Sequence, residues 1–492
     1  MTRSEFCARL LHRITTLALW AITGLIPLFC DSNAYSKQKR EQPNIIFILA
    51  DDQGWGDVAY NGNPVVQTPV LDDMAATGLR FDRFYAAHPV CSPTRGSVMT
   101  GRHPNRFACF SWGHALRPEE ITVAEALHTA GYATGHFGKW HLGTCREDDD
   151  VSPGHSGFDT WVSSPNFYDN SPLLAQNGKV ISTEGEGSEV TIRHAIDFIR
   201  AQAAAKTPSL TVIWLGSPHS PHEALPELRA LYPHEKAKLQ NYYGEITGID
   251  RAVGLLREEL RKLGIAENTL LWYTSDNGAN LPGSTGGLRG KKGNLWEGGV
   301  RVPCIIEWPR RITAPRTTNV PAVTSDIYPT LLALTGVSMP GQPPLDGISL
   351  LPLIDGQADT RSNPIGFWVH PTGGIRTPSA EWLADQQAEQ SGQKPAQPAP
   401  QRTEASRMVQ KFPTDDLPGH SAWLDGDWKL HHIPVKKSNR FDDELYNLQT
   451  DPEEAHNVAL EHPDRVAKMK QQLREWQLSV VRSLNGEDYA KP

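Results

Sequence analysis

The chain has 492 residues, 39% hydrophobic and 21% charged, with 48 basic and 56 acidic residues for a formal net charge of −8. That apolar content excludes a wholly disordered chain, and the acidic balance excludes a protein that coats nucleic acid through excess cation. Six cysteines in so long a chain are too few for a disulfide-dense scaffold.

Residues 1–34 read as a secretory signal. Arg3, Arg9 and Arg13 form a basic start, residues 14–29 are almost wholly apolar, and Ser32-Asn33-Ala34 offers small residues for cleavage. An uncleaved anchor is one alternative. A lipoprotein signal ending at Cys30 is another, opposed by bulky Phe29 before it. Export to a periplasm or the exterior is therefore expected (a lysosome-type compartment in a eukaryote), with no stable membrane span. Cleavage removes Cys7 and Cys30, leaving Cys91, Cys109, Cys145 and Cys304 where two bridges are open to them.

Residues 44–50 (NIIFILA) are a continuous apolar run that stops at Asp51-Asp52. Residues 209–215 (SLTVIWL) repeat the pattern and lead to His219; residues 269–274 (TLLWYT) repeat it and lead to Ser275-Asp276-Asn277-Gly278. Runs that are apolar on both faces predict parallel strands buried between helices. Residues 244–263 supply one such helix, with Ile249, Val253, Leu256, Leu260 and Leu263 at helical spacing. The fold class is α/β, a large mostly parallel sheet sandwiched by helices, with a catalytic domain at 44–356. Ligands of such sheets bind beyond the carboxyl ends of the strands.

After Gly356 the texture changes. Residues 381–402 are rich in Gln, Ala, Pro and Ser and read as a flexible insertion. Short aromatic runs follow, then a helix over Pro463–Leu484. Residues 365–485 are thus expected to form a small C-terminal α+β domain.

Asp51, Asp52, Asp276 and Asn277 gather hard oxygen ligands at two strand ends, a set that suits Ca²⁺ or, less well, Mg²⁺. Either pair alone also suits a helix cap or a turn. The run Cys91-Ser92-Pro93-Thr94-Arg95-Gly96, followed by Thr100-Gly101-Arg102, adds a second signal. On these residues the chain resembles the type I, formylglycine-dependent sulfatases of the alkaline phosphatase superfamily, especially N-acetylgalactosamine-6-sulfatase-like and arylsulfatase-like members. The resemblance runs from about Asn44 to Val458. It includes Gly138-Lys139-Trp140-His141, Pro218-His219-Ser220-Pro221 and Gly290-Lys291-Lys292-Gly293.

The resemblance implies that a maturation enzyme converts Cys91 to Cα-formylglycine, which acts as nucleophile and metal ligand beside Asp51, Asp52, Asp276 and Asn277. Arg95 then steadies the nucleophile from one turn along a helix expected to start at Pro93. Lys139 and Lys292 clamp the sulfate, His219 protonates the leaving oxygen, and His141 takes up a proton in the second step. Singly, each histidine is more often structural, each lysine a surface cation, and Cys91 a buried thiol or half a disulfide. Their joint arrangement favours the functional reading.

The expected substrate is a sulfate ester, most plausibly on a carbohydrate. A phosphodiesterase or phosphonate monoester hydrolase on the same scaffold is the enzymatic alternative. A non-catalytic Ca²⁺-dependent sulfoglycan-binding protein, with Cys91 unconverted, is the other. Trp55, Trp112 and Trp368 are candidate sugar platforms. Residues 102–117, with His103, Arg106, His114 and Arg117, either read further substrate anions or form a solvated loop.

Overall fold

The computed structural model describes residues 42–396, 411–438 and 440–489. The expected signal at 1–34, with Cys7 and Cys30, and the 397–402 end of the expected insertion lie outside the described residues. In chain order the first strands are β1 (Asn44–Ala50), β2 (Leu79–Tyr85), β3 (Ala133–Lys139), β4 (Thr160–Ser164), β5 (Leu173–Gln176) and β6 (Lys179–Ser182). Next come β7 (Ser209–Trp214), β8 (Thr269–Ser275), β9 (Arg301–Glu307), β10 (Arg316–Thr318) and β11 (Ala322–Val323).

The three apolar runs are neighbours at the centre of one eleven-stranded sheet. Its order is β10-β2-β9-β8-β1-β7-β3-β4-β5-β6, with β11 also on β2. β1 runs parallel to β7 (Ile45 opposite Leu210) and to β8 (Ile45 opposite Leu270), and β3 and β4 extend the parallel run. β9 lies antiparallel between β8 and β2, so the sheet is mixed and mostly parallel.

Why β1 is apolar throughout follows from its two faces. Ile45, Phe47 and Leu49 enter a core shared with Val98, Met99, Leu127 and Leu331. Ile46, Ile48 and Ala50 enter a second core with Met74, Ile196, Val253 and Leu256. Helices Cys91–Thr100, Val123–Thr129 and Ile327–Thr335 supply the first layer; helices Pro69–Thr77, Gly187–Ala205 and Ala237–Lys262 supply the second. Truncating a residue such as Ile48, which is fully buried, to Ala would cost about 2–5 kcal/mol.

The helix expected at 244–263 begins earlier, at Ala237. Its first turns are polar, so hydrophobic period alone misses them, but Tyr242 is buried and donates its hydroxyl to Asp57 Oδ2 at 2.6 Å.

A second sheet is an antiparallel meander of β12 (Ile365–Val369), β13 (His420–Asp425), β14 (Trp428–Pro434) and β15 (Phe441–Asn447). One face packs Phe367, Leu424 and Tyr446 against Tyr85, Leu295 and Val300. The other receives the Pro463–Leu484 helix through Met469 and Leu473. Within the segment read as a flexible insertion, residues 381–390 belong to a helix over Ser379–Gln390. Leu383 anchors it in the core and glutamines add to the docking: Gln386 and Gln390 donate to Gly178 O at 2.8 and 2.7 Å, and Gln390 accepts from Val180 N at 3.0 Å.

Candidate active site and metal centre

The polar residues sit where the central strands end. β1 delivers Asp51 and Asp52, β8 delivers Asp276 and Asn277, β3 ends in Lys139 just before His141, and β7 leads to His219. The Cys91–Thr100 helix presents Cys91 in its first turn. That helix begins two residues before the expected Pro93. Proline is tolerated there because the first four N–H groups of a helix have no intrahelical partner. Two site residues adopt left-handed backbone, Asp52 at φ 69° and His141 at φ 56°, a conformation that side chains normally avoid. At Gly138 (φ 99°) an added Cβ would lie 1.9 Å from Trp214 O. Only glycine therefore lets β3 approach β7 just before Lys139.

Opposite charges interlock in this rim. Lys139 Nζ donates to Asp51 Oδ2 at 2.6 Å, and Lys292 Nζ lies 2.6 Å from Asp52 Oδ1 and 3.5 Å from Cys91 Sγ. Arg95 donates from Nε and Nη2 to Asp276 Oδ2 at 3.1 and 2.7 Å, and from Nη1 to Lys139 O at 3.0 Å. Asp276 Oδ1 accepts from Asp52 N–H at 3.1 Å, while Asn277 Nδ2 donates to Asp52 Oδ1 at 2.8 Å. Three carboxylates thus meet three cations, so a bound divalent cation would leave the site with a surplus of positive charge for an anion.

Burial shapes the titration of these groups. It pushes the Cys91 thiol up to about 12, against the pull of Lys139 and Lys292. It raises Asp276 to about 6, with the neighbouring Asp51 charge adding and Arg95 opposing. Burial also acts upward on Asp52, but the attraction of Lys292, with hydrogen bonds from Lys292 and Asn277, outweighs it and holds that carboxyl below the ordinary range. Burial lowers His219 to about 3 and takes His141 well below its usual value, assisted there by Lys139. Both rings are therefore neutral at pH 7. His219 Nδ1 lies 2.6 Å from Ser220 O, which can only accept, so the neutral ring carries its proton on Nδ1. Its Nε2 is then an open lone pair, 3.8 Å from Asp52 Oδ2. The imidazolium expected from the sequence needs an incoming negative charge to form.

Cys91, His141, His219 and Lys292 line one cavity of about 730 Å³, together with Trp112 and Arg376. Of the three tryptophans, Trp112 is 42% exposed at this cavity, Trp368 is buried, and Trp55 lies under Arg301 at 4.8 Å. Of residues 102–117, Trp112 lines this cavity, whereas His103, Arg106, His114 and Arg117 do not. Arg102 is buried on Glu120 and Asp488, and Arg106 is paired with Asp346 at 2.7 Å. Cys109, Cys145 and Cys304 are buried free thiols. Sequence reasoning missed Ser164, Asn166 and Thr377, which also line the cavity; isolated polar residues in loops carry no periodic or motif signal.

The donor set fits a hard divalent cation. Ligand atoms of Asp51, Asp52, Cys91 and His219 lie within 4.8 Å of one another. Asp51 Oδ1 and Asn277 Oδ1 are buried without a hydrogen-bond partner, as ligand oxygens awaiting a cation would be. Asp276 adjoins this cluster, its Oδ1 accepting from Asp52 N–H and its Oδ2 from Arg95. His219 was not among the expected ligands.

A carboxylate-rich rim carrying three cations, a buried cysteine at a helix start and two histidines beyond a parallel sheet defines a hydrolase of anionic esters. The family model for Sulfatase matches residues 43–337. N-acetylgalactosamine-6-sulfatase of Canis lupus familiaris is 34% identical over 374 residues, covering 67% of this chain and 69% of that protein. The crystal structure of Ps i-CgsB in complex with k-i-k-neocarrahexaose superposes with a TM-score of 0.74 at 25% identity, covering 89% of this chain and 93% of that one. The phosphonate monoester hydrolase of Agrobacterium radiobacter shares the fold more distantly, with a TM-score of 0.58 at 20% identity over 89% and 96% of the two chains. The chain belongs to the sulfatase family and is a sulfuric ester hydrolase. Among the described residues no helix is long and apolar enough to cross a membrane.

Proposed function

We propose that the protein is an exported, Ca²⁺- and formylglycine-dependent sulfatase that removes sulfate from a sulfated carbohydrate. The observation that carries this reading is the meeting of Cys91 with Lys292, Asp51, Asp52 and His219 on one rim. The carbohydrate is favoured by the relatives, one named for N-acetylgalactosamine-6-sulfate hydrolysis and one holding an oligosaccharide. Asp51, Asp52, Asp276 and Asn277 would hold the cation together with residue 91, and Asp276 also anchors Arg95.

When present, formylglycine at position 91 supplies a hydroxyl nucleophile, and Ca²⁺ supplies Lewis acidity. The protein's own groups do the rest. Lys139 and Lys292 neutralise sulfate oxygens that would otherwise repel a nucleophile. Arg95, held by Asp276 and Lys139 O, keeps its charge beside residue 91. His219 faces the leaving oxygen; the charge of the sulfate ester favours its protonation, after which it gives that proton away. His141 takes a proton from the group at residue 91, which releases sulfate and restores the site.

The test compares kcat/KM for an aryl sulfate and an aryl phosphodiester, alongside mass spectrometry of the peptide spanning Cys91. Sulfate preference and a converted residue 91 are expected. Preference for the diester would move the protein to the phosphodiesterase reading. An intact thiol in protein from its native host would favour a sulfoglycan-binding role without turnover. Cys91→Ala should abolish turnover while leaving Ca²⁺-dependent stabilisation largely in place. N-terminal sequencing of that same material checks export, with a start near residue 35 expected.

A further inference from the structure

His141 has one ring nitrogen satisfied and one free. Its Nε2 lies 3.1 Å from Thr377 Oγ1, whereas Nδ1 is buried without a partner. The same threonine holds Asn166, whose Nδ2 donates to Thr377 O at 3.0 Å and to Thr377 Oγ1 at 2.8 Å. A carbonyl oxygen only accepts, so the amide nitrogen must face Thr377, which leaves Asn166 Oδ1 as the unpartnered atom. All three residues are at least nine-tenths buried and line the cavity that contains Cys91.

Two proton arrangements satisfy the Thr377–His141 contact. Thr377 can donate to Nε2, which puts the ring proton on Nδ1, or accept from Nε2–H, which leaves Nδ1 a lone pair. The first strands a buried N–H without an acceptor, a rare and costly state. The second strands a lone pair, in a rim that holds Lys139, Arg95 and Lys292, and leaves the rotatable Thr377 hydroxyl to turn its proton toward the cavity that Thr377 lines. The second arrangement wins on both counts.

We propose that Thr377 is a positioning residue: its hydroxyl oxygen, oriented by Asn166, accepts the Nε2–H of His141 and fixes the tautomer whose Nδ1 can take up a proton. Thr377 comes from the strap that follows β12, far in sequence from every strand-end residue of the site. The strap is held by Ile375 N–H on Trp112 O at 2.9 Å and by Ser379 Oγ on Phe167 O at 2.8 Å. At Gly374 an added Cβ would lie 2.1 Å from the Trp112 ring, so the strap sits flush against that tryptophan. The proposal rests on the sulfatase reading only for what His141 does with its proton.

Neutron diffraction from deuterium-exchanged crystals of the wild-type protein tests the tautomer directly. A deuteron on Nε2 of His141 is expected; one on Nδ1 overturns the proposal. In parallel, Thr377→Val should lower kcat on an aryl sulfate about 10–100-fold with KM little changed, the usual cost of losing a group that orients a reacting one. Thr377→Ser should restore kcat to within about threefold, because the hydroxyl returns. A Val variant with wild-type kcat, or a Ser variant as slow as Val, refutes the assignment. Wild-type protein that turns over no sulfate ester refutes the sulfatase reading instead, and the deuteron position then judges Thr377 alone.

Discussion

Replacing Lys429 by Met tests how the four-stranded sheet is fastened beneath the loop that carries Lys292. Lys429 is fully buried on β14 and reaches Glu297 Oε1 at 2.8 Å and Glu454 Oε1 at 3.3 Å. Glu297 also accepts from Tyr85 Oη at 3.0 Å, and Glu454 accepts from Glu297 N–H at 2.7 Å and contacts His431 Nε2 at 2.7 Å. Burial works against the ammonium, but the two carboxylates outweigh it and raise its pKa. Methionine keeps most of the stem and removes the charge, so two buried carboxylates lose their shared cation. Removing one partner of a buried ion pair costs about 3–5 kcal/mol. Unfolding entropy scales to about 0.9 kcal/mol/K for a chain of this size, so Tm should fall by about 3–5 °C by calorimetry. Adding Glu454→Gln to Lys429→Met should recover part of the loss, because one stranded charge is removed. A Lys429→Met variant within about 1 °C of wild type would refute the reasoning.

Three other outcomes are expected. Unconverted Cys91, 1% exposed and with its thiol pushed up to about 12, should resist iodoacetamide in native protein and react once unfolded; rapid native labelling, read by peptide mass, would contradict this. Ca²⁺ at a hundred times its Kd should stabilise the fold by about 2.7 kcal/mol, and Asp51→Asn should remove most of that gain. A melting temperature indifferent to both Ca²⁺ and Mg²⁺ would sink the metal assignment. Asp346 is partly buried against Arg106, whose charge overcomes the upward effect of burial and holds the carboxyl well below the usual range. Its folded pKa is depressed, so its stabilisation is present above about pH 4 and fades as pH falls further. Asp346→Asn should therefore cost most at pH 7 and progressively less below pH 4 in urea titrations; a pH-independent cost would be evidence against the pair.

The strand ends were legible because both chemistry and folding mark them. Asp51-Asp52 and Asp276-Asn277 interrupt runs that are apolar for a reason, namely burial on two faces, and Cys91 to Arg95 is a dense motif. What stayed illegible follows another physics. Thr377 and Asn166 act through single hydrogen bonds between segments remote in sequence, and nothing periodic announces them. Residues 102–117 stayed open between anion readers and a solvated loop because Asp488 and Asp346, partners of Arg102 and Arg106, lie hundreds of residues away. Residues 381–402 looked flexible because the helix that occupies 381–390 is held by a single buried leucine, Leu383, and by amide side chains rather than by a hydrophobic stripe. The C-terminal helix, by contrast, was readable to the residue because its buried face repeats regularly.

The placement of β1 has a consequence for biosynthesis. It is the first strand the ribosome releases from the central sheet, yet its partners are β7 and β8, at Leu210 and Leu270 opposite Ile45. Until both emerge, the run NIIFILA has at least one edge unpaired. Such a segment is a site for illicit strand pairing during synthesis. Yield in a foreign host should therefore be limited by elongation and holdase capacity rather than by the stability of the finished fold, and slower, cooler expression should help more than stabilising substitutions elsewhere.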